Sequence, residues 1–265
     1  MRAQLQTAGR RLAPRWAAAR ARRYEMACRE AAGLPLLAGR VIDRNGDRVI
    51  DGPCAGLRYP ADRLREVDVP VAKLVGSYER QLHGSLAAAI DAGRTPFVDI
   101  GCAEGYYAVG LALRRADLEV HAYDHAKSAR SFCADLAALN GCGDRVHVHR
   151  HCDARQLRAL TLDRALVLAD VEGAEFELFS EEVVALLARA AVIVELHRPV
   201  EDPAVTGLIE RFAPSHTAER VDAAPPQPEL IGALSFLTPS ERAAATNEWR
   251  AAPDQTWLVL DPRHA

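Results

Sequence analysis

Acidic side chains stand where the predicted strands of this chain end, and their types and positions could do chemistry. They are Asp99, Asp124, Asp153, Asp170 and Glu195. Because the carboxyl ends of parallel strands meet at one edge of a sheet, ligands of α/β proteins bind there. A carboxylate at that edge can accept hydrogen bonds from hydroxyl and amino groups, or take a proton from a reacting group. The pattern predicts a polar ligand and acid–base chemistry at one sheet edge.

The most informative single segment reads Phe97-Val98-Asp99-Ile100-Gly101-Cys102-Ala103-Glu104-Gly105-Tyr106-Tyr107. An apolar strand ends in an acid, and a turn of small residues opens a helix, so the backbone can approach a nucleoside closely. Dinucleotide-binding folds need G-x-G-x-x-G, whereas these positions hold Gly101, Ala103 and Tyr106. The segment therefore does not favour a pyrophosphate. It resembles the first motif of S-adenosylmethionine-dependent methyltransferases, whose cofactor carries no phosphate.

The methyltransferase resemblance assigns further acids to the cofactor. It gives Asp124 to the ribose hydroxyls, and it gives Asp153, with Ala154 beside it, to the adenine amino group. Helix capping is the alternative for both acids. Tyr106 and Tyr107 either place a ring near the sulfonium or pack in the core. The predicted cofactor residues are Asp99, Gly101, Cys102, Ala103, Glu104, Gly105, Tyr106, Tyr107, Asp124, Asp153 and Ala154.

Two later motifs make the resemblance more specific. They are Asp170-Val171-Glu172-Gly173-Ala174-Glu175 and Glu195-Leu196-His197. Together with the first motif they resemble FkbM-type methyltransferases over about residues 95–200, and members of that group are mostly small-molecule or sugar O-methyltransferases. His197 is the best base by pKa. Asp170, Glu172 and Glu195 could orient it or serve directly, which gives four predicted catalytic residues.

Acceptor binding is predicted from charge and from position along the chain. The acids Asp170, Glu172, Glu175 and Glu195 would suit a cationic amine or guanidine as well as a hydroxyl acceptor. A lid is expected just before the core. Segment 223–255 is expected to overhang the ligand-binding edge, with Phe236, Glu248, Trp249 and Arg250 as candidates for substrate contact. The predicted substrate-binding residues are Tyr78, Glu79, His83, Glu175, Glu248 and Trp249.

The elements that must position these residues alternate strand and helix from Pro96 onward. Strands are predicted at 97–100, 118–123, 145–150, 165–169, 191–196, 216–222 and 256–260, and helices at 105–115, 126–140, 175–189 and 203–212. This pattern predicts an α/β fold with a Rossmann-like, doubly wound, mostly parallel seven-stranded sheet whose last strand is antiparallel.

Residues 1–93 are predicted to form an extension and lid, and residues 94–265 the S-adenosylmethionine-binding domain. Within the extension we expect an arginine-rich amphipathic helix over residues 1–30, with a transit peptide as the alternative, and a β-hairpin over residues 40–60 around Asn45-Gly46. A helical approach over residues 71–93 leads into the first core strand.

Composition narrows the function classes. The 265 residues are 49% hydrophobic and carry a formal net charge of −3, which argues against a nucleic-acid binder. Six cysteines without a C-x-x-C pair indicate free thiols in a reducing compartment. No apolar run reaches the ~18 residues of a membrane span. A cytoplasmic enzyme with a small-molecule acceptor is expected, without nucleic acid or membrane, and a homodimer is left open.

A metal site is not predicted. Histidines alternate along the third predicted strand and recur on its neighbour, at positions His121, His147, His149 and His151. These positions are expected in the middle of the sheet, covered by a helix, and no cysteine pair completes a ligand set.

Two alternatives to the leading function stay open. One is a nicotinamide-dependent oxidoreductase, which the absent glycines disfavour. The other is a catalytically silent domain that binds the cofactor as a scaffold.

Overall fold

The computed structural model of the protein describes residues 27–28, 30, 32–60, 64, 71–250 and 255–263. Its helices are α1 (Leu34–Asn45), α2 (Val71–Val75), α3 (His83–Asp91), α4 (Tyr106–Arg114), α5 (Lys127–Leu139), α6 (Ala154–Arg158), α7 (Glu175–Leu178), α8 (Glu181–Leu186), α9 (Pro203–Phe212) and α10 (Pro239–Thr246). Its strands are β1 (Phe97–Ile100), β2 (Val120–Tyr123), β3 (Val146–His149), β4 (Leu166–Ala169), β5 (Ala191–Leu196), β6 (His216–Asp222) and β7 (Thr256–Pro262). The helix expected over residues 1–30 lies almost wholly outside the described residues.

The seven strands form one sheet in the order β3-β2-β1-β4-β5-β7-β6. Strands β1 to β5 pair in parallel, and β7 runs antiparallel to both β5 and β6. The predicted fold class, an α/β Rossmann-like sheet with an antiparallel last strand, is confirmed. The strand order reverses between β1 and β4, and such a switch point opens a crevice at the carboxyl ends of the strands.

Both faces of the sheet are covered, which explains why the central strand β4 is apolar at every position. Phe97 and Leu166 pair across β1 and β4 and face one core, whereas their neighbours Val98 and Val167 face the other. The second core also contains the helical residue Phe212. Burying one such side chain contributes about 1.5–3 kcal/mol.

The N-terminal segment forms a helix where the sequence predicted a hairpin, so that prediction is wrong. Helix α1 runs to Asn45 and buries Leu34, Leu37 and Val41, which recur at helical spacing. Gly46, with φ 80°, ends the helix. The Asn-Gly pair therefore marks the end of a helix, where a glycine with positive φ is needed just as it is in a hairpin turn.

Three further expectations need correction. The helix predicted over 175–189 is two short helices, because Ser180 starts α8 by accepting a hydrogen bond from the Val183 N–H. Helix α6 was not predicted. The histidine-bearing strand β3 lies at the edge of the sheet rather than in its middle. There the His121 ring lies 5.3 Å from the His147 ring and 5.6 Å from the His149 ring, centroid to centroid.

The extension packs on the sheet rather than standing apart from it. Cys54, Leu57 and Tyr59 are fully buried in the same core as Phe97 and Trp257. A third cluster joins α1 and α2 to α10 and thereby fixes the segment that follows β6. None of the described helices is long and apolar enough to cross a membrane.

Candidate active site

The glycine loop, residues 101–105, joins β1 to α4 in a backbone path that side chains would block. Gly101 has φ 90°, and a Cβ there would lie 1.7 Å from the backbone oxygen of Asp170. Gly105 has φ 95°, and a Cβ there would lie 2.7 Å from the Cys133 Sγ. Only glycine fits both positions. The contact with Asp170 brings the loop against the carboxyl end of β4.

Backbone strain in the described part of the chain is concentrated near this edge. Among the described residues, four that are not glycine have φ in the left-handed region, namely Glu79, Ala103, Glu172 and Trp249. Ala103 lies in the glycine loop, Glu172 follows β4, and Glu79 and Trp249 belong to the two segments that approach from outside the sheet. Each such residue costs about 1–3 kcal/mol, and strain of this kind gathers at functional sites.

Both predicted nucleoside acids already make local hydrogen bonds. The Asp124 carboxylate accepts from the Ala103 N–H at 3.1 Å and from the Ala126 N–H at 2.7 Å. Asp153 caps α6 by accepting from the backbone N–H groups of Arg155 and Gln156. A carboxylate has about four lone-pair sites, so both can accept further bonds. Asp124 in addition ties the glycine loop to the end of β2.

Asp99 lies beneath the loop and is only 3% exposed. Burial, and secondarily the charge of Asp170, raises the pKa of Asp99 to about 8. Its Oδ2 atom has no hydrogen-bond partner. Cys102 is buried in the loop, and Ala154 is the first residue of α6.

Glu104 has a partner that sequence reasoning missed. Its Oε1 atom accepts from the Lys73 Nζ at 2.5 Å and from the Tyr59 hydroxyl at 3.3 Å. The Lys73 Nζ also lies 4.6 Å from the centroid of the Tyr78 ring. The rarity of lysine could have drawn attention to this partner, since Lys73 is one of two lysines in a chain with 33 Lys and Arg residues.

The two tyrosines that open α4 pack in the interior. Tyr106 and Tyr107 are 2% and 7% exposed, and their ring centroids lie 5.0 Å apart. Tyr78 packs edge-on against Tyr106. The Tyr107 hydroxyl donates to a carboxylate oxygen of Glu79 at 2.8 Å. These contacts match the packing alternative for both residues, and Tyr107 in addition holds an acid at the site.

His197 is the centre of a cluster of side chains from two loops. Its Nε2 atom lies 3.4 Å from Asp170 Oδ1 and 3.8 Å from Glu172 Oε2, and its Nδ1 lies 3.6 Å from Glu175 Oε2. Its backbone N–H donates to Glu175 Oε1 at 2.9 Å. Burial alone would lower the pKa of His197, but the neighbouring Glu175 and Asp170 carboxylates raise it above the ordinary value. Burial would raise the pKa of Glu175, but its contacts with His197 hold that pKa below the usual range.

A second group of acids surrounds Arg250, which comes from the segment between β6 and β7. The Arg250 guanidinium pairs with Glu79, lies 2.6 Å from Glu248 Oε2 and lies 3.6 Å from Glu195 Oε1. Gln255 donates to Glu195 as well. Burial raises the pKa of Glu79 and of Glu195, and the Arg250 charge opposes that rise in both.

The overhanging segment therefore reaches the end of β5, as expected. Glu248 also accepts from the Glu79 N–H at 2.8 Å, which joins the overhang to the segment before α3. Arg250, a candidate for substrate contact from the sequence, pairs with acids of the chain itself. Gln255 is a contribution that the sequence reasoning missed, because only the antiparallel pairing of β7 with β5 returns this segment to Glu195.

Several polar atoms of the cluster are buried without a hydrogen-bond partner. They are Asp170 Oδ1, Glu175 Oε2, Glu195 Oε2 and His197 Nδ1. Buried polar atoms in folded proteins are nearly always paired, so a concentration of unpaired ones needs an explanation. At the carboxyl edge of a parallel sheet, a bound ligand is the natural one.

Two of the predicted substrate residues, His83 and Trp249, make their contacts away from the His197 and Arg250 groups. The His83 ring lies against Gly52 and contacts the Tyr78 backbone oxygen at 2.9 Å. The Trp249 indole donates to the Ala244 backbone oxygen at 3.0 Å and packs in the third cluster. Their contacts stabilise the approach to the site. The remaining predicted substrate residues, Tyr78, Glu79, Glu175 and Glu248, all touch the two groups of charged side chains described above.

Comparisons with known proteins give likeness of structure only. No family model and no curated protein matches the sequence. Among solved structures, precorrin-6y C5,15-methyltransferase from Geobacter metallireducens GS-15 is 12% identical, with 69% of this chain and 88% of that one covered and a TM-score of 0.44. An rRNA methylase from Streptococcus thermophilus is 11% identical, with 69% and 97% covered and a TM-score of 0.48.

A third similar structure is geranyl diphosphate C-methyltransferase from Streptomyces coelicolor A3(2), 15% identical, with 68% of this chain and 78% of that one covered and a TM-score of 0.41. Likenesses of this size carry no argument about what this chain binds. Its fold rests on the strand order and register given above.

Proposed function

We propose that this chain is an S-adenosylmethionine-dependent methyltransferase that acts on a small molecule. One observation carries the proposal: the glycine loop and the His197 cluster meet at Gly101 and Asp170, where no Cβ would fit between them. The loop that we propose for the nucleoside thus directly adjoins a group of acids and a base. Methyl transfer needs this adjacency, since the acceptor atom must reach the methyl carbon in line.

The loop residues suit the cofactor by shape. A side chain at Gly101 or Gly105 would collide with Asp170 or Cys133, so the loop can only present its backbone. Asp124, with lone pairs left over, would receive the ribose hydroxyls, and Asp153 would face the adenine. When bound, S-adenosylmethionine would supply an electrophilic methyl group on a sulfonium.

His197 and its carboxylates would act on the acceptor. A hydroxyl that binds beside His197 Nε2 loses its proton to the cluster, and such a base is worth about 10²–10⁴ in rate. Fixing acceptor and methyl carbon in line can supply up to about 7–11 kcal/mol more. Glu175, which is fully buried behind the imidazole, would hold its ring and tautomer. The three motifs support an FkbM-type O-methyltransferase, and six cysteines without a C-x-x-C pair support a reducing compartment such as the cytoplasm.

A cationic acceptor is the second candidate, and the Arg250 contacts favour it. The acids Glu79, Glu195 and Glu248 hold the chain's own guanidinium, so their spacing suits that group. An amine or guanidine acceptor would then displace Arg250. Assays with hydroxyl, amine and guanidine acceptors would separate the two candidates, and turnover confined to neutral alcohols would remove this one.

Calorimetry with S-adenosylmethionine, S-adenosylhomocysteine and NAD tests the leading proposal against an oxidoreductase. We expect heat with both sulfur compounds and none with NAD. Binding of NAD alone would overturn the proposal. Turnover then separates an enzyme from a scaffold: Glu172→Gln or Glu195→Gln should keep cofactor affinity and lose methyl transfer.

A further inference from the structure

We propose that Asp170, Glu172 and His197 form a divalent metal site, which deepens the proposed function and rests on it. One ligand atom from each of the three side chains lies within 4.8 Å of the other two. The distances from His197 Nε2 to the carboxylate oxygens are 3.4 Å and 3.8 Å. Ligand atoms about 2.0–2.2 Å from one ion lie roughly 3 to 4.4 Å apart, so these distances suit a shared ion.

A second observation, independent of the distances between the three ligand atoms, concerns the far side of the imidazole. Glu175 is fully buried, and its Oε2 atom, without a hydrogen-bond partner, faces His197 Nδ1 at 3.6 Å. Metal-bound histidines almost always direct their second nitrogen at a carboxylate or carbonyl, which fixes the tautomer. With a proton on Nδ1, the Nε2 lone pair points at Asp170 and Glu172.

The charge balance also calls for a cation. Three carboxylates lie around His197, namely Asp170, Glu172 and Glu175. Among the described residues, the Arg250 guanidinium pairs with Glu79, Glu195 and Glu248 and with none of these three. Glu172 has φ 53°, and its carboxylate lies 3.8 Å from the imidazole Nε2. A divalent ion would neutralise this excess of negative charge.

The ligand chemistry narrows the metal. One imidazole with two carboxylates suits Mn²⁺ or Zn²⁺ better than Mg²⁺, which prefers oxygen ligands alone. Three protein ligands leave positions open for the acceptor. An ion held by these three residues would lower the pKa of a bound acceptor hydroxyl, whose proton would pass to water. The acceptor oxygen would then form its bond to the methyl carbon as the carbon–sulfur bond breaks, with His197 acting as a ligand rather than as the base.

The test is a titration of Mn²⁺ into the full chain, freed of metal by dialysis against a chelator, with electron paramagnetic resonance to count bound ions. We expect one saturable site, from which Zn²⁺ displaces Mn²⁺ and Mg²⁺ does so poorly. His197→Ala and Asp170→Asn should weaken binding at least about tenfold, and Glu175→Gln by about 10–100-fold. The matched control is His147→Ala, which removes an imidazole 3.9 Å from Glu119 on the edge strand and should change nothing.

Circular dichroism melting of each variant separates loss of the site from loss of the fold. Failure of both Mn²⁺ and Zn²⁺ to saturate, or binding that His197→Ala and Asp170→Asn leave unchanged in folded protein, would overturn the metal site. Neither result touches cofactor calorimetry, so the methyltransferase proposal stands or fails separately. Metal binding without any binding of S-adenosylmethionine would retain the site and overturn the proposed function.

Discussion

The two halves of the ligand-binding edge are built by different means. The glycine loop is one contiguous segment, and steric exclusion fixes its shape, as the 1.7 Å approach at Gly101 demonstrates. The acceptor side is assembled from side chains that follow β4 and β5 and from the overhang, and charge holds it together. The first half leaves backbone to meet a ligand and leaves Asp99 Oδ2 unpaired, whereas the second leaves a group of unpaired polar atoms on Asp170, Glu175, Glu195 and His197. Substitutions should therefore remove binding in the first half and turnover in the second.

The largest effect is expected for Gly101→Val. Its Cβ would collide with the Asp170 backbone, which cannot yield like a flexible side chain. Overpacking costs about 1–3 kcal/mol and the left-handed φ adds roughly 1–2 more. Urea unfolding should report this loss of stability, and calorimetry the loss of cofactor binding. Gly84→Ala, with open space around its Cβ, is the control and should bind the cofactor normally.

On the acceptor side, His197→Ala should lower kcat by about 10²–10⁴ while cofactor affinity stays within a factor of two or so. The reason is that His197 touches the acceptor side and not the glycine loop. Single-turnover kinetics and calorimetry on the same preparation measure the two quantities. A variant that loses cofactor binding in parallel would erase the distinction between the halves.

The substitution Arg250→Met tests whether Arg250 anchors the overhanging segment to the site. It leaves Glu79 and Glu195, which are 1% and 2% exposed, without their guanidinium partner. Removing one partner of a buried ion pair costs roughly 3–5 kcal/mol. Burial already raises the pKa values of Glu79 and Glu195. Proton uptake by these two acids should therefore reduce the cost. Thermal melting should show destabilisation that shrinks as the pH falls. Unchanged stability at neutral pH would mean that the overhang is not anchored at this point.

Asp99 gives the smallest effect at any one pH step, a pH dependence of stability in the loop half of at most about 1.4 kcal/mol per pH unit. Its folded pKa of about 8 lies above the ordinary 3.8, so the folded chain holds one more proton than the unfolded chain between those values. The free energy of unfolding therefore falls as the pH rises through this interval. Asp99→Asn should flatten that slope, which urea titrations at several pH values would measure. An equal slope in the variant would assign the pH dependence of stability to Glu79 or Glu195 instead of Asp99.

Local sequence predicted best where one short segment supplies both the pattern and the contacts. The strand, turn and helix from Phe97 to Arg114 are present as expected. The Asn45-Gly46 pair misled, because a positive φ serves a hairpin turn and a helix end equally well, and the burial of Leu34, Leu37 and Val41 decided between them. Lys73 and Gln255 escaped prediction because their partners, Glu104 and Glu195, are distant in sequence.

The sequence by itself determined the sheet, the glycine loop and the acids at the strand ends, because alternating strands and helices admit one doubly wound arrangement and strand ends share one edge. Only the tertiary structure decided what each acid does. Glu175 is committed to His197, Glu195 to Arg250 and Gln255, and Asp170 and Glu172 face the imidazole from the other side. The physical reason is that a carboxylate's pKa and partners depend on burial and on charges brought from elsewhere in the chain, which spacing along the sequence does not encode.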